Sequence, residues 1–144
     1  MAVRQIMSLK QYEAVFDKME HLDRFLTYDL INAASQILNV RFGVELRWYL
    51  MRYGYLANAD AEFYGLDFKN GLESDLITAT RILRNSAPWT DGYVAVYHVS
   101  DSVYAMCDKS DRVYITDLRH PGFTSTGMCL SEYLYEILTA AGEA

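Results

Sequence analysis

Cys107, Asp117 and the two histidines His98 and His120 are of the types that build nucleophilic catalytic triads. In such a triad a thiolate attacks, an imidazole takes its proton and a carboxylate orients the ring. No spacing in this sequence brings the three types together, and Cys107 lies within a run of apolar and aromatic residues that is typical of a strand. The pattern therefore favours a buried core thiol over a catalytic one.

Possible metal ligands are present but scattered. Zinc sites usually need close pairs of ligands, and no such pairs form among His21, His98, His120, Cys107 and Cys129. Asp108 and Asp111 could contribute to a calcium site, but the rest of a calcium-binding loop is missing and the same spacing suits a hairpin turn. The sequence therefore predicts no bound metal and no other cofactor.

The small residues of segment 122–127 could cradle a phosphate ahead of a helix. Ser125 within this segment is the second candidate nucleophile. The segment lacks the lysine and the glycine spacing of a phosphate-binding loop, so we interpret it as the lead-in to the last helix. With no catalytic set remaining, the sequence predicts a protein that is not an enzyme and that acts by binding.

The chain has a net charge of −6, and its acidic residues are unevenly distributed. Residues 1–59 contain six acidic and seven basic side chains, whereas residues 60–144 contain thirteen acidic and six basic ones. Nucleic acids and anionic membranes attract lysine and arginine, so we expect neither as a partner. The acidic second part indicates a basic protein partner instead.

Cysteine usage and hydropathy both indicate a cytoplasmic protein. Two cysteines in apolar surroundings are expected to stay reduced, because they are too few for a disulfide framework. The first residues lack the apolar core of a secretion signal, and no apolar run approaches the roughly 20 residues of a membrane helix. We expect one domain over residues 1–144, a length typical of a single core.

The first half of the chain is predicted to be helical. Apolar residues recur every three or four positions over about residues 8–26, and again over 30–38 and 44–51. Ser8 could cap the first of these helices, and Thr27 or Asp29 the second. The two glycines Gly43 and Gly54 are expected to precede and to end the third. A fourth helix is predicted between Leu72 and Leu83.

A change of period marks the second half as mainly β. Short strands are predicted at 62–66, 93–99, 103–107 and 113–118, of which 93–99 has the composition of a central strand. A loop is predicted over 119–127, followed by a closing helix. The fold class is therefore α+β, with a central antiparallel meander packed by N-terminal helices and a C-terminal helix.

The order of several short motifs resembles the SUKH superfamily. Residues 104–117 (YAMCDKSDRVYITD) are similar to the central hairpin of that superfamily, in which an aromatic residue precedes Asp, a turn and a Val-Tyr pair. Residues 63–66 (FYGL) resemble its aromatic-Tyr-Gly strand, residues 92–96 the strand before the hairpin, and residues 130–138 the closing helix. The extra N-terminal helix at about 8–26 has no counterpart in this pattern.

The SUKH resemblance implies a protein without a catalytic site. Many bacterial members are immunity proteins that bind and neutralise the toxin domains of contact-dependent or secreted systems, often nucleases. Fungal relatives regulate cell-wall synthesis as adaptors. The resemblance therefore implies toxin neutralisation in the bacterial cytoplasm, and the alternative is a regulatory adaptor that binds an endogenous partner.

An acidic surface suits a nuclease toxin, because nucleases carry basic clefts and opposite charges speed association. Such interfaces usually depend on a few aromatic side chains surrounded by charge. We expect the contact residues at or beside loops of the acidic half: Asp60, Glu62, Asp67, Trp89, Asp91, Asp101 and Tyr104. The protein is expected to be a monomer or a weak homodimer.

Overall fold

Helices occupy the first part of the chain and an antiparallel sheet occupies the second. The computed structural model describes residues 8–67 and 74–140. In chain order the elements are α1 (Leu9–Phe16), α2 (Tyr28–Leu38), α3 (Val44–Tyr53), α4 (Asp75–Ser86), a short 3₁₀ helix (Pro88–Thr90), β1 (Val94–Ser100), β2 (Val103–Cys107), β3 (Arg112–Asp117), β4 (His120–Cys129) and α5 (Leu130–Ala140). The predicted α+β class is confirmed.

Capping residues explain where the first three helices begin and end. Ser8 and Gln11 form a reciprocal capping box at α1, and the Thr27 hydroxyl accepts a backbone hydrogen bond at the start of α2. Gly43 precedes α3 and Gly54 follows it, as predicted. The predicted fourth helix is also present as α4, although its predicted first apolar residue, Leu72, lies outside the described residues.

The N-terminal helix is shorter than the predicted range of about 8–26, because α1 ends at Phe16. The following segment, 17–26, forms backbone hydrogen bonds with the end of α3 instead of with itself. The N–H of Leu22 donates to the carbonyl of Tyr53 at 2.9 Å, and similar bonds lie on both sides of it. These distant partners satisfy the backbone N–H groups that would otherwise bond within a helix. The helical spacing of the apolar residues therefore does not determine the conformation of segment 17–26.

The four strands form a sheet in the order β1-β2-β3-β4, in which each strand pairs with its neighbour in the sequence. The prediction that residues 93–99 form a central strand is wrong, because β1 lies at an edge. Its apolar composition has another cause: the helical core covers one face and α4 covers the other. The edge itself is partly covered, since the N–H of Tyr64 donates to the carbonyl of Val96.

Two further predictions for the second half are wrong. Residues 62–66 form isolated bridges, such as that between Phe63 and Tyr97, rather than a strand. Residues 119–127 are not a loop, because most of them belong to β4. Proline and glycine residues lower the β propensity of this segment, so its pairing with β3 determines its conformation.

The core lies between the helices and the inner face of the sheet. Each of the five α-helices contributes buried side chains to it. The strands contribute Val94, Val96, Ala105, Cys107 and Val113. A smaller cluster between α4 and the outer face contains Leu83, Ala95 and Met106. Within the described ranges, none of the helices combines the length and the apolarity that crossing a membrane requires.

Candidate functional site

A groove with acidic walls lies between the residues after α3, the turn near residue 65 and the start of α4. Its volume is about 160 Å³, and it is lined by Glu20, Tyr55, Glu62, Gly65, Asp67 and Asp75. We call it the acidic groove. Four carboxylates from three separate parts of the chain therefore converge on a single concave surface.

Backbone contacts bring these four acidic positions together. Glu20 and Ala57 exchange two backbone hydrogen bonds of 3.0 Å, and Ala57 also bridges to Glu62. At Gly65 the chain passes so close to the preceding turn that any side chain would overlap with its backbone. The carbonyl of Gly65 then accepts a hydrogen bond from the N–H of Leu76, which places the first turn of α4 beside the groove.

The acidic groove concentrates negative charge. The Tyr55 hydroxyl donates to Oε2 of Glu20 at 3.0 Å. Burial raises the pKa of Tyr55, and the bonded Glu20 and the nearby charges of Glu62 and Asp67 raise it further. Among the described residues, neither Lys nor Arg forms a salt bridge with Glu20, Glu62 or Asp75. The groove is therefore electrostatically suited to a cationic group.

Two of the seven predicted contact residues, Glu62 and Asp67, line the acidic groove. Asp60 lies just before them in an exposed turn, where its N–H donates to Oδ1 of Asn58 at 2.8 Å. Sequence reasoning missed three lining residues that are distant in the chain, namely Glu20, Tyr55 and Asp75. No local motif links them, because two long-range contacts bring them together: segment 17–26 pairs with the residues after α3, and the N–H of Leu76 donates to the carbonyl of Gly65.

Asp101 and Tyr104 lie where β1 turns into β2. The imidazole of His98 stacks on Tyr104 with ring centroids 4.5 Å apart, and its Nε2 lies 2.8 Å from the carbonyl oxygen of Asp101. Burial raises the pKa of Tyr64 to about 12, with smaller contributions from the neighbouring Tyr104 and Asp75. Tyr64 and Tyr104 both pack against the smaller cluster on the outer face of the sheet.

Trp89 and Asp91 do not line the acidic groove and have partners within the protein. Nε1 of Trp89 donates to Oγ1 of Thr116 at 2.8 Å, across the outer face of the sheet. A carboxylate oxygen of Asp91 lies 3.4 Å from Nε of Arg84. The Trp89 bond holds the loop after α4 against the sheet, whereas Asp91 pairs with α4 and its side chain is 76% exposed.

Among the residues of the candidate triad, Asp117 and His120 are register partners on β3 and β4, whereas Cys107 lies at the opposite end of the sheet. Cys107 is fully buried, and burial raises the pKa of its thiol, as do the nearby charges of Asp111 and Asp108. Cys107 pairs with Val113, four positions before Asp117 on β3, which corresponds to about 13 Å along a strand. This separation, together with the protonated state of the buried thiol, argues against nucleophilic catalysis at Cys107.

The two aspartates considered as calcium ligands bind backbone groups instead. Asp108 Oδ1 accepts from the N–H groups of Ser110 and Arg112 in the turn between β2 and β3. Asp111 has a φ of 65° and accepts through its two carboxylate oxygens from the N–H groups of Glu45 and Leu46, both at 2.9 Å. Within the described parts of the chain, no group of three or more acidic, histidine or cysteine side chains could hold a metal ion.

Asp111 also connects α3 with α5. Its carbonyl accepts a hydrogen bond from the N–H of Leu130, the first residue of α5, at 2.9 Å. Oε1 of Glu45 accepts from the N–H of Ser131 at 2.7 Å. Carboxylates therefore cap the start of α3 and contribute to the start of α5, where the helix dipole favours negative charge.

A second concave surface, which we call the apolar pocket, lies between α1, α3 and the end of segment 17–26. It has a volume of about 290 Å³ and is lined by Glu13, Phe25, Leu26, Trp48, Met51 and Arg52. Phe25 is 73% exposed, and the guanidinium of Arg52 lies 5.7 Å from the centre of its ring. The charges at the rim pair with each other, since Arg52 lies 3.4 Å from Glu13.

Neither a protein-family model nor a curated protein matches this chain. The structure defines an α+β domain with an acidic groove and a separate apolar pocket. The function is therefore inferred from this surface and from the order of the sequence motifs.

Proposed function

We propose that this protein binds and neutralises a basic toxin domain, and that the acidic groove is the centre of the contact. The motifs at residues 63–66 and 104–117 resemble those of SUKH immunity proteins. The observation that carries the proposal is the convergence of four carboxylates on one groove. Opposite charges attract, so a basic side chain that enters the groove gains Coulomb energy from its carboxylates.

A nuclease domain is the class of toxin whose charge matches the groove. Its active cleft must attract phosphate groups and therefore carries lysine and arginine. One such side chain in the groove makes charge-assisted hydrogen bonds with the carboxylates of Glu62 and Asp75. The bound protein then prevents nucleic acid from entering the cleft, and this inhibition in the cytoplasm needs no chemical step.

Aromatic side chains next to the groove supply the apolar part of the contact. Tyr55 lines the groove, and Tyr64 and Tyr104 both pack against the smaller cluster on the outer face of the sheet. Aromatic residues surrounded by charged ones dominate the binding energy of many interfaces. The acidic groove with these tyrosines therefore combines electrostatic steering with a short-range apolar contact.

Co-expression with the toxin encoded beside the gene tests the proposal, together with affinity capture from the native host. We expect the tagged protein to capture a toxin and to restore growth. Charge reversal in the groove, Glu62→Lys or Asp75→Lys, is expected to weaken toxin binding about 10-fold or more. The matched control is Glu136→Lys, which reverses an exposed charge on α5 outside the groove and is expected to bind like the wild type.

The possible outcomes test the immunity role and the position of the binding site separately. The immunity role is wrong if the wild-type protein captures no toxin and rescues no cell from the neighbouring toxin gene. Capture of an endogenous protein, with a growth or envelope defect after deletion in the absence of any toxin, would establish the adaptor role instead. Equal toxin binding by Glu62→Lys and Glu136→Lys would place the contact outside the acidic groove.

A further inference from the structure

Strand β4 is the open edge of the sheet. The strand order leaves β1 and β4 at the two edges. Phe63 and Tyr64 contact β1 through a bridge and a backbone hydrogen bond. No comparable backbone partner lies along the outer side of β4 within residues 8–67 and 74–140. Unpaired edge strands readily accept another strand.

The register of the ladder shows which backbone groups of β3 face β4. The N–H of Leu118 donates to the carbonyl of Ser102, so these two residues form a hydrogen-bonded pair between β2 and β3. Hydrogen-bonded and non-hydrogen-bonded pairs alternate along an antiparallel ladder. Ala105 and Ile115 therefore form a non-hydrogen-bonded pair. The backbone N–H and C=O groups of Ile115 point away from β2 and towards β4.

The same alternation shows which groups of β4 face away from the sheet. Thr124 pairs with Ile115, so the N–H and C=O groups of Thr124 point towards β3. Those of Phe123 and Ser125, on either side, point outward. Each chain thus offers two donors and two acceptors at regular spacing, a set that is complementary to an antiparallel copy of itself.

The composition of β4 favours self-association over repulsion. None of its ten residues is Asp, Glu, Lys or Arg, although the chain has a net charge of −6. Charges, prolines and bulges normally protect sheet edges. Here Pro121 and the irregular pairings with β3 lie on either side of Thr124 and Ser125, so the accessible edge is a short stretch centred on these two residues.

We propose that β4 pairs antiparallel with β4 of a second copy, about a two-fold axis at Thr124. The two four-stranded sheets then form one sheet of eight strands. Phe123 of each copy lies opposite Ser125 of the other, and these two pairs make four backbone hydrogen bonds. All outward groups of Phe123 and Ser125 are then satisfied, while the exposed side chains of the two Thr124 residues meet at the axis.

The surroundings of Phe123 agree with such an interface. Its ring centroid lies 4.2 Å from that of Tyr93 and 5.8 Å from that of Tyr114, and all three rings are half-buried on the outer face. Pairing through β4 continues this aromatic cluster into the second copy. The contact involves few residues and falls below the roughly 1,200 Å² of stable interfaces, so the dimer is expected to depend on protein concentration.

Charge substitutions at the axis test the pairing by sedimentation velocity over a range of concentrations. The wild type is expected to shift from monomer to dimer as its concentration rises. Thr124→Lys alone and Thr124→Glu alone place like charges opposite each other, so their dissociation constants are expected to rise about fivefold or more. An equal mixture of the two variants is expected to dimerise at least as well as the wild type, because lysine then faces glutamate.

The matched control is Gln36→Lys, an exposed substitution on α2 that is expected to leave dimerisation unchanged. Dimerisation of the mixed variants also shows that both are folded. A wild-type protein that stays monomeric up to its solubility limit overturns the proposal. So does a Thr124→Lys variant that dimerises as tightly as the wild type, because the dimer then uses another surface.

Discussion

The carboxylate of Asp111 lies directly against the bare Cα of Gly43, where any side chain would overlap with it. Gly43 precedes α3 and has no side chain with which to cap the helix. Asp111, more than 60 positions later in the sequence, supplies both missing acceptors at 2.9 Å. The small residue at the start of the helix and the distant carboxylate therefore form one structural unit.

A double-mutant cycle tests this unit. Gly43→Ala is expected to destabilise the protein by about 1–3 kcal/mol, because the new methyl group displaces the carboxylate. Asp111→Gly keeps the left-handed backbone but leaves two N–H groups without acceptors, at a cost of about 1–3 kcal/mol. The double variant is expected to lose less stability than the sum, since the added methyl group no longer meets a carboxylate. Urea unfolding followed by circular dichroism measures all four proteins, and strict additivity would contradict the interpretation.

Asp17 provides a test by acid titration. Its carboxylate accepts a hydrogen bond from the Tyr53 hydroxyl at 2.8 Å and pairs with Arg52 at 3.1 Å. Partial burial raises the pKa of Asp17, but the bonds from Arg52 and Tyr53 outweigh it, and the pKa lies below its usual range. The ionised group therefore stabilises the folded protein above about pH 4, and this contribution is lost as the pH falls through the folded-state pKa.

The Asp17→Asn variant is consequently expected to lose less stability than the wild type on acidification. Thermal melting at a series of pH values below about 5 measures the difference. Arg52→Gln removes the guanidinium from the same pair. The melting temperature of this variant is also expected to fall less than that of the wild type as the pH is lowered. Parallel curves for the wild type and Asp17→Asn would show that the pair does not contribute.

The two cysteines are expected to differ in reactivity. Cys107 is fully buried, whereas Cys129 is partly exposed and its Sγ lies 3.2 Å from Oε1 of Glu132. Burial raises the pKa of both thiols, so Cys129 should react slowly with iodoacetamide at neutral pH and Cys107 only after unfolding. Mass spectrometry of alkylated peptides measures both rates. Rapid labelling of Cys107 in the folded protein would revive it as a candidate nucleophile.

Trp89 is expected to report on the outer face of the sheet. Thr116 accepts from Nε1 of Trp89 and donates to the carbonyl of Gly122, so it joins the loop after α4 to β4. Thr116→Val breaks both bonds and is expected to destabilise the protein by about 1–3 kcal/mol. In a Trp48→Phe background, the fluorescence of Trp89 should shift to longer wavelength when Thr116 is replaced. An unchanged spectrum would mean that the indole is held by other contacts.

The helices were predictable where capping residues and apolar periodicity agree. Thr27 caps α2, and the two glycines Gly43 and Gly54 flank α3 as their sequence positions indicate. Segment 17–26 shows the limit of this reasoning, because its apolar period resembles a helix while its backbone bonds to residues more than 20 positions away. Local patterns do not reveal which distant backbone groups will compete for the same hydrogen bonds.

The site was only partly predictable for a similar reason. Glu62 and Asp67 were identified from the acidic surroundings of one short motif, and both line the acidic groove. Glu20 comes from the half of the chain that has no excess of acidic residues, so charge asymmetry does not indicate it. Asp111 was interpreted as a turn residue, which it is, but its role at α3 depends on a contact that spans nearly half of the chain.

The contacts of Asp111 with both α3 and α5 couple the local unfolding of the two helix starts. The turn between β2 and β3 cannot leave the helices without removing acceptors from the N–H groups of Glu45, Leu46 and Leu130. The three amides are therefore expected to exchange with solvent deuterium in a single cooperative event rather than by separate fraying of two helix ends. Since the contact closes a long stretch of chain, both helix starts become fixed only after the hairpin has formed.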